Sequence, residues 1–296
     1  MPDGLLNIDK PAGMTSHDVV ARVRRALKTK RAGHAGTLDP DATGVLVVAV
    51  GQATRLLPHL PLEPKEYVAR AAFGVATHTE DASGTVTAEA DASGLTEDAL
   101  RAALPGFVGE IPQVPPMVSA VHHQGRRLYE LAREGVTVER EARTVTVHAI
   151  EMTDFAPGAV AEATLRVVCG GGTYIRTLCA DVAAALGLPG HMKSLVREAV
   201  GPFRRADALP LDALESEGAA RIVPMERALP SALPTRAVDD AEAGRIHQGQ
   251  GIPAEADALR GTGGEVALLH RDRLLALARY DDGERPLCRP FKVFAE

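Results

Sequence analysis

GHAGTLDPDATGVLVVAV, residues 33–50, decides how this chain is read. Gly33, Gly36 and Gly44 free the backbone for turns and for close approach of a large ligand. Asp39 precedes Pro40, and a following proline ring confines Asp39 to extended conformations. Val45 to Val50 then runs unbroken and apolar, the pattern of a buried strand. A carboxylate held stiffly in a glycine-bordered loop before such a strand is placed for chemistry. Asp-Pro is also an ordinary turn dipeptide, so the dipeptide alone leaves both readings open.

Upstream, LLNI (residues 5–8) predicts a short strand ended by the DKPAG turn. Thr15 and Ser16 are candidate N-caps, and Asp18 follows Thr15 by three residues, close to a capping box. Val19, Val20, Val23, Ala26 and Leu27 recur at helical spacing, with Arg22, Arg25 and Lys28 mainly on the other face. The expected element is an amphipathic helix with a basic outer side, followed by a glycine-rich loop over residues 31–44. Downstream, Tyr67, Ala69, Ala71 and Phe73 alternate as in a strand, and residues 96–104 predict a short helix. Residues 111–135 start proline-rich and turn helical near Leu128, while 143–150 and 161–168 have strand character. GGGTYIRTLCADVAAALG (170–187) is a glycine turn and then a helix stopped by Gly187. MERALPSALP (225–234) reads as a linker, and beyond it a short helix and three short strands form a β-rich module. That module is too small for a comfortable core of its own, so it is expected to lean on the main domain.

The chain has 296 residues, enough for one large domain and a smaller one. Aromatic residues are only 3% and Trp is absent, so a nucleic-acid site here cannot rely on rows of stacking rings. Cys169, Cys179 and Cys288 form no CxxC pair, which argues against a disulfide framework and a zinc site and for a reduced, cytoplasmic protein. The start is no signal peptide, and the longest apolar run is too short to span a bilayer. The net charge of −6 is unevenly spread. Between Asp9 and Gly36, seven basic residues face two acids; between Glu63 and Glu110, three basic residues face nine acids. A charge run is ordinarily a solvated face, but this basic stretch adjoins the glycine-rich motif.

Extended to residue 55, GHAGTLDPDATGVLVVAVGQATR resembles the catalytic motif of the tRNA pseudouridine-55 synthase (TruB) family. NIDKPAGMTSHDVV (7–20), KEYVARAAFGVATHTEDASG (65–84), PPMVSAVHHQGRRLYELAREG (115–135) and GGGTYIRTL with LVREAVGPF (195–203) resemble the same family in order. The tail from about Pro234 resembles its C-terminal PUA-like module more weakly. The resemblance implies an α+β fold, a mixed and largely antiparallel sheet with surrounding helices and an RNA cleft across one face. It divides the chain into a catalytic domain, 1–230, with an RNA-gripping insertion at about 110–145, and a PUA-like RNA-binding domain, 234–296.

The implied activity is isomerisation of uridine 55 in the T-loop of tRNA: the base is extruded, detached from its sugar, turned and rejoined through carbon. Extrusion costs a few kcal/mol, met by pocket and phosphate contacts. The resemblance makes Asp39 the catalytic nucleophile and Arg176 its ion-pair partner. Tyr67 stacks on the target base, Leu195 floors the pocket, His34 props open the T-loop, and Lys10 faces phosphate or supports the site. The basic helix with Arg126 and Arg127 supplies phosphate contacts. Neither cofactor nor metal is implied. The expected partner is tRNA, through its T-stem-loop and the acceptor end, for a monomer with no membrane and no obligate protein partner. Two departures stand out: Val196 replaces a common second arginine, and the tail has nine basic against eleven acidic residues. A guide-RNA-dependent synthase shares the DKP and LDP motifs, and a tRNA-folding chaperone on the same scaffold is a further alternative. A small-molecule α/β enzyme would need a phosphate or dinucleotide fingerprint, which is missing from the sequence.

Overall fold

The computed structural model describes residues 3–119, 122, 123, 126, 127, 134, 136, 138–254, 264–281 and 286–294. The strands of its main sheet are β1 (Gly4–Lys10), β2 (Ala32–Ala35), β3 (Thr43–Val50), β4 (Lys65–Phe73), β5 (Gly109–Gln113), β6 (Arg143–Ala156), β7 (Ala161–Cys169) and β8 (Gly190–Val200), with short pieces at the edge. The spatial order is β1-β3-β8-β4-β7-β6-β5. Pairing is antiparallel throughout this path except between β3 and β8, which run parallel through Thr43–Val196 and Gly44–Arg197 alone. The expected mixed, largely antiparallel α+β fold is present, and that parallel contact is a seam between two antiparallel halves.

Helix α1 (Ser16–Ala26) starts where the sequence places it. Thr15 accepts from Asp18 N and Asp18 reaches back to Thr15 N, a complete capping box. Val19, Val20 and Val23 are buried against β1 and β3, while Arg22, Arg24 and Arg25 are exposed. The Gly-rich segment after it is not all loop: Ala32–Ala35 pairs with Val47–Val50 as β2. Glycine there kept alternation from showing in the sequence. Helix α2 (Glu97–Ala103) is capped by Thr96, and α3 (Ile175–Ala185) packs on β8 and β4. The helix expected near Leu128 lies outside the described residues. The strands on either side of that stretch in sequence, β5 and β6, pair directly from Arg143–Gln113 to Val147–Gly109.

In the tail, α4 (Asp240–His247) and β9 (Thr235–Val238), β10 (Ile252–Pro253), β11 (Glu265–His270), β12 (Arg273–Asp281) and β13 (Leu287–Val293) form a separate five-stranded sheet in the order β9-β11-β12-β13-β10. The module does lean on the main sheet. Ala267, Leu274, Leu277 and Phe294 share one apolar cluster with Leu5, Val45, Val47 and Leu56. Met225 and Ala228 are buried in the same cluster, so the segment expected to be a linker is packed chain. Arg55 adds a hydrogen bond to Val293 O at 2.8 Å and lies over the Phe294 ring at 5.6 Å. Phe294→Ala should therefore destabilise the whole chain, by about 3 kcal/mol for a buried phenylalanine. Denaturant unfolding measures it; an unchanged midpoint would mean the module docks without contributing.

Candidate active site

The loop of Asp39 is tied down on every side. Ser16 Oγ accepts from Leu38 N at 2.9 Å and donates to Leu38 O at 3.1 Å. Gly13 N donates to Pro40 O at 3.0 Å, and Ala42 N to Asp39 O at 3.1 Å. Leu38 and Ala42 are buried in the core beneath β4. Lys10 lies wholly buried under the loop and gives its three protons to Pro11 O, Pro40 O and Ala42 O at 2.8–2.9 Å. Burial lowers its pKa to about 8 against the pull of Asp41 and Asp39. Of the two roles expected for Lys10, support of the site fits this burial and phosphate contact does not.

Arg176, in the first turn of α3, approaches the loop from the other side with 3% of its side chain exposed. Its Nε lies 2.9 Å from Asp39 Oδ2 and its Nη2 donates to Asp39 Oδ1 at 3.3 Å, a two-pronged ion pair. The remaining donors go to Thr79 O and Val118 O, each at 2.8 Å, and Nη1 lies 3.6 Å from Asp81. The guanidinium is therefore aimed before any substrate arrives. Asp39 keeps 39% of its side chain exposed through the cleft, yet dense protein around the carboxyl raises its pKa; Arg176 opposes that shift and Asp81 adds to it.

Asp39, Tyr67, Arg176 and Leu195 line one cavity of about 250 Å³. A second, of about 340 Å³, lies across the Asp39–Arg176 pair and is lined by Asp41, Asp81 and Lys193 among others. Tyr67 and Leu195 are each 7% exposed and stand on neighbouring strands β4 and β8. Burial raises the Tyr67 pKa while Arg197 beside it lowers it. His34 does not join them. It stands on β2 with its ring edge-on to His17 at 5.3 Å, and burial, His17 and Arg197 lower its pKa to about 4, leaving it neutral.

The sequence reading passed over Arg197, whose neighbour Val196 drew attention as a departure. Arg197 is 1% exposed, lines the Asp39 cavity, and donates to Val45 O at 2.7 Å and Gly36 O at 2.9 Å. It also passed over Asp81 and Lys65; the matched blocks that contain all three were the available signal. Part of the acid-rich stretch from Glu63 reaches the site, since Asp81 borders it. Arg126 and Arg127 pair in backbone with His123 and His122. In the described residues, no helix is long and apolar enough to cross a membrane.

Residues 24–175 match the family model of the TruB family pseudouridylate synthase N-terminal domain, and 176–230 that of the tRNA pseudouridylate synthase B C-terminal domain. The junction between the two models falls inside α3, between Ile175 and Arg176. The tRNA pseudouridine synthase B of Symbiobacterium thermophilum is 52% identical over 247 residues, covering 83% of this chain and 82% of that protein. That of Thermobifida fusca is 46% identical over 301 residues, covering 100% and 99%. A chain of a solved Cbf5-Nop10-Gar1 complex is 30% identical with a TM-score of 0.68, covering 99% of this chain and 85% of its own.

Lys10→Met tests the buried scaffold. It strands three carbonyls, so we expect a loss of about 3 kcal/mol in unfolding experiments, at roughly 1 kcal/mol per lost partner. Activity should fall with it, while the salt dependence of RNA binding stays as in the wild type. A slope shallower by about one unit would instead make Lys10 a phosphate contact.

Proposed function

The chain belongs to the TruB family of pseudouridylate synthases, an isomerase that forms pseudouridine in tRNA, and on that premise we propose that its target is uridine 55 in the T-loop and that Asp39 is its nucleophile. The observation that carries this is the Asp39–Arg176 fork on the wall of a cavity shared with Tyr67 and Leu195. A carboxylate attacks only when ionised, and the guanidinium stabilises that form against the burial that raises its pKa. The cavity has room for one extruded base, with the Tyr67 ring to stack on it and Leu195 beneath. The base leaves its sugar, turns within that space and is rejoined through carbon, with Asp39 held throughout by a loop that cannot swing.

In this reading residues 1–230 do the chemistry, and 234–296 add binding toward the acceptor end. The lining residues of both cavities precede 230. His34 and the exposed basic face of α1 serve the RNA outside the cavity, and the chain works as a monomer in the cytoplasm without guide RNA or partner protein. The Cbf5 likeness keeps the guided alternative in view, and guide-free activity separates the two.

The decisive assay incubates pure protein with an unmodified T-stem-loop transcript and maps pseudouridine. We expect a single modified position without any added RNA or protein. Asp39→Asn should bind the transcript and lose turnover; multiple turnover by that variant would remove Asp39 as nucleophile. Because the pKa of Asp39 is raised, protonation switches the wild type off at a higher pH than for a free carboxyl. The acid limb of the single-turnover rate should therefore have its midpoint above 3.8, the ordinary aspartate value.

A further inference from the structure

Arg176 and Lys10 spend their donors on protein atoms, and Arg197 gives its Nε and Nη2 to carbonyls. Lys65, which opens β4 two residues before Tyr67, does not. Among the described residues no carboxylate lies within 4.0 Å of its ammonium and no acceptor receives a hydrogen bond from it. Yet the side chain is half-buried, and burial with the nearby Arg197 charge lowers its pKa, opposed by Glu63. The Glu63 carboxylate is turned to another donor, Gly171 N, at 2.8 Å.

Two glycines flank this charge: a Cβ placed on Gly36 would lie 3.8 Å from Lys65 Nζ, and one on Gly171 3.6 Å, with the Glu63 carboxylate closer still to that second Cβ at 2.3 Å. Lys65 also stands on the wall between two spaces. One is the cavity of Asp39, Tyr67 and Arg176. The other, of about 350 Å³, is lined by Ala35, Gly36 and the stretch Leu60 to Glu63. A half-buried ammonium with no salt bridge among the described residues, and only the more distant Glu63 carboxylate to offset it, costs free energy in the free protein, and an arriving anion lowers that cost.

We propose that Lys65 binds the phosphodiester adjoining the extruded uridine, and that the cavity beside it takes the neighbouring nucleotide. This rests on the function proposed above. It makes Lys65 a substrate-binding residue that fixes the backbone while Tyr67 and Leu195 hold the base.

Binding of a synthetic T-stem-loop across a range of salt concentrations tests it, with wild type, Lys65→Met and Lys65→Arg. Lys65→Met should bind roughly tenfold more weakly, the scale of one charge-assisted contact, and its log–log salt slope should be shallower by about 0.7–0.9. Lys65→Arg should keep the wild-type slope. One methylphosphonate beside the target uridine should weaken wild type equally and add nothing in Lys65→Met. The melting temperature of Lys65→Met should hold, since no salt bridge or hydrogen bond among the described residues is lost. A folded Lys65→Met with the wild-type slope would overturn the proposal, as would methylphosphonate losses that add in full at every position. Tight binding of inorganic phosphate alone at constant ionic strength, lost in Lys65→Met, would assign the residue to a free anion and overturn it too. Failure of the wild type to modify the stem-loop sinks the uridine reading instead, and is a separate measurement from the slope.

Discussion

Arg197 carries a positive charge with 1% of its surface exposed, and it is satisfied by main-chain carbonyls, Val45 O and Gly36 O. Its place is the parallel seam where β8 meets β3. That contact has only two residue pairs, too few to hold two half-sheets by ladder bonds alone. The guanidinium clamps the seam from within, reaching β3 at Val45 and the turn before Asp39 at Gly36. The close approach also explains Gly44, whose φ is +99° and whose Cβ would lie 2.2 Å from Arg197 O. Any side chain there forces the seam apart. The same charge bears on the chemistry, since it lowers the pKa values of Lys10, His34, Lys65 and Tyr67.

Asp39 sits between opposed demands. Burial favours its neutral form, and Asp81 pushes the same way. Arg176 and Lys10 favour the carboxylate. A surface ion pair would settle this by moving, but neither partner is free to move. Arg176 is fixed by Thr79 O and Val118 O, and the loop by Ser16, Gly13 and Lys10. Rigid placement of charge is an arrangement in which electrostatics assist a reaction, because little has to reorganise as charge develops.

How much of this was legible in the sequence depends on the kind of residue. Local rules worked where they apply: Thr15 with Asp18 gave the start of α1, and the 2-residue alternation from Tyr67 to Phe73 gave β4. β8 had no reading of its own. Register shifts between Met192 and Ser194 and between Arg197 and Ala199 break its alternation, and Lys193, Arg197 and Glu198 hide an element at the centre of the sheet. Asp39, Tyr67, Arg176 and Leu195 were found through family resemblance, because residues 39, 67, 176 and 195 meet only through the fold. Lys10 and Arg197 show the limit of composition. A buried cation that serves carbonyls looks in sequence like any surface lysine or arginine.

The net charge of −6 would seem to disfavour RNA. Whole-chain charge, however, sums over surfaces that a cleft never presents. Some of the acids are held in ion pairs: Glu162 with Arg70 and Lys193, Asp240 with Arg271, Asp281 with Arg289, and Asp39 with Arg176. The exposed arginines of α1 meet no such partners among the ion pairs of the described residues. A polyanion near α1 therefore meets a local positive face, screened beyond about 8 Å at physiological salt from the acids elsewhere. At that range a salt slope reads the charges that touch the polyanion rather than the whole-chain total, with Asp41, Asp81 and Glu63 among the acids lining the same cavities.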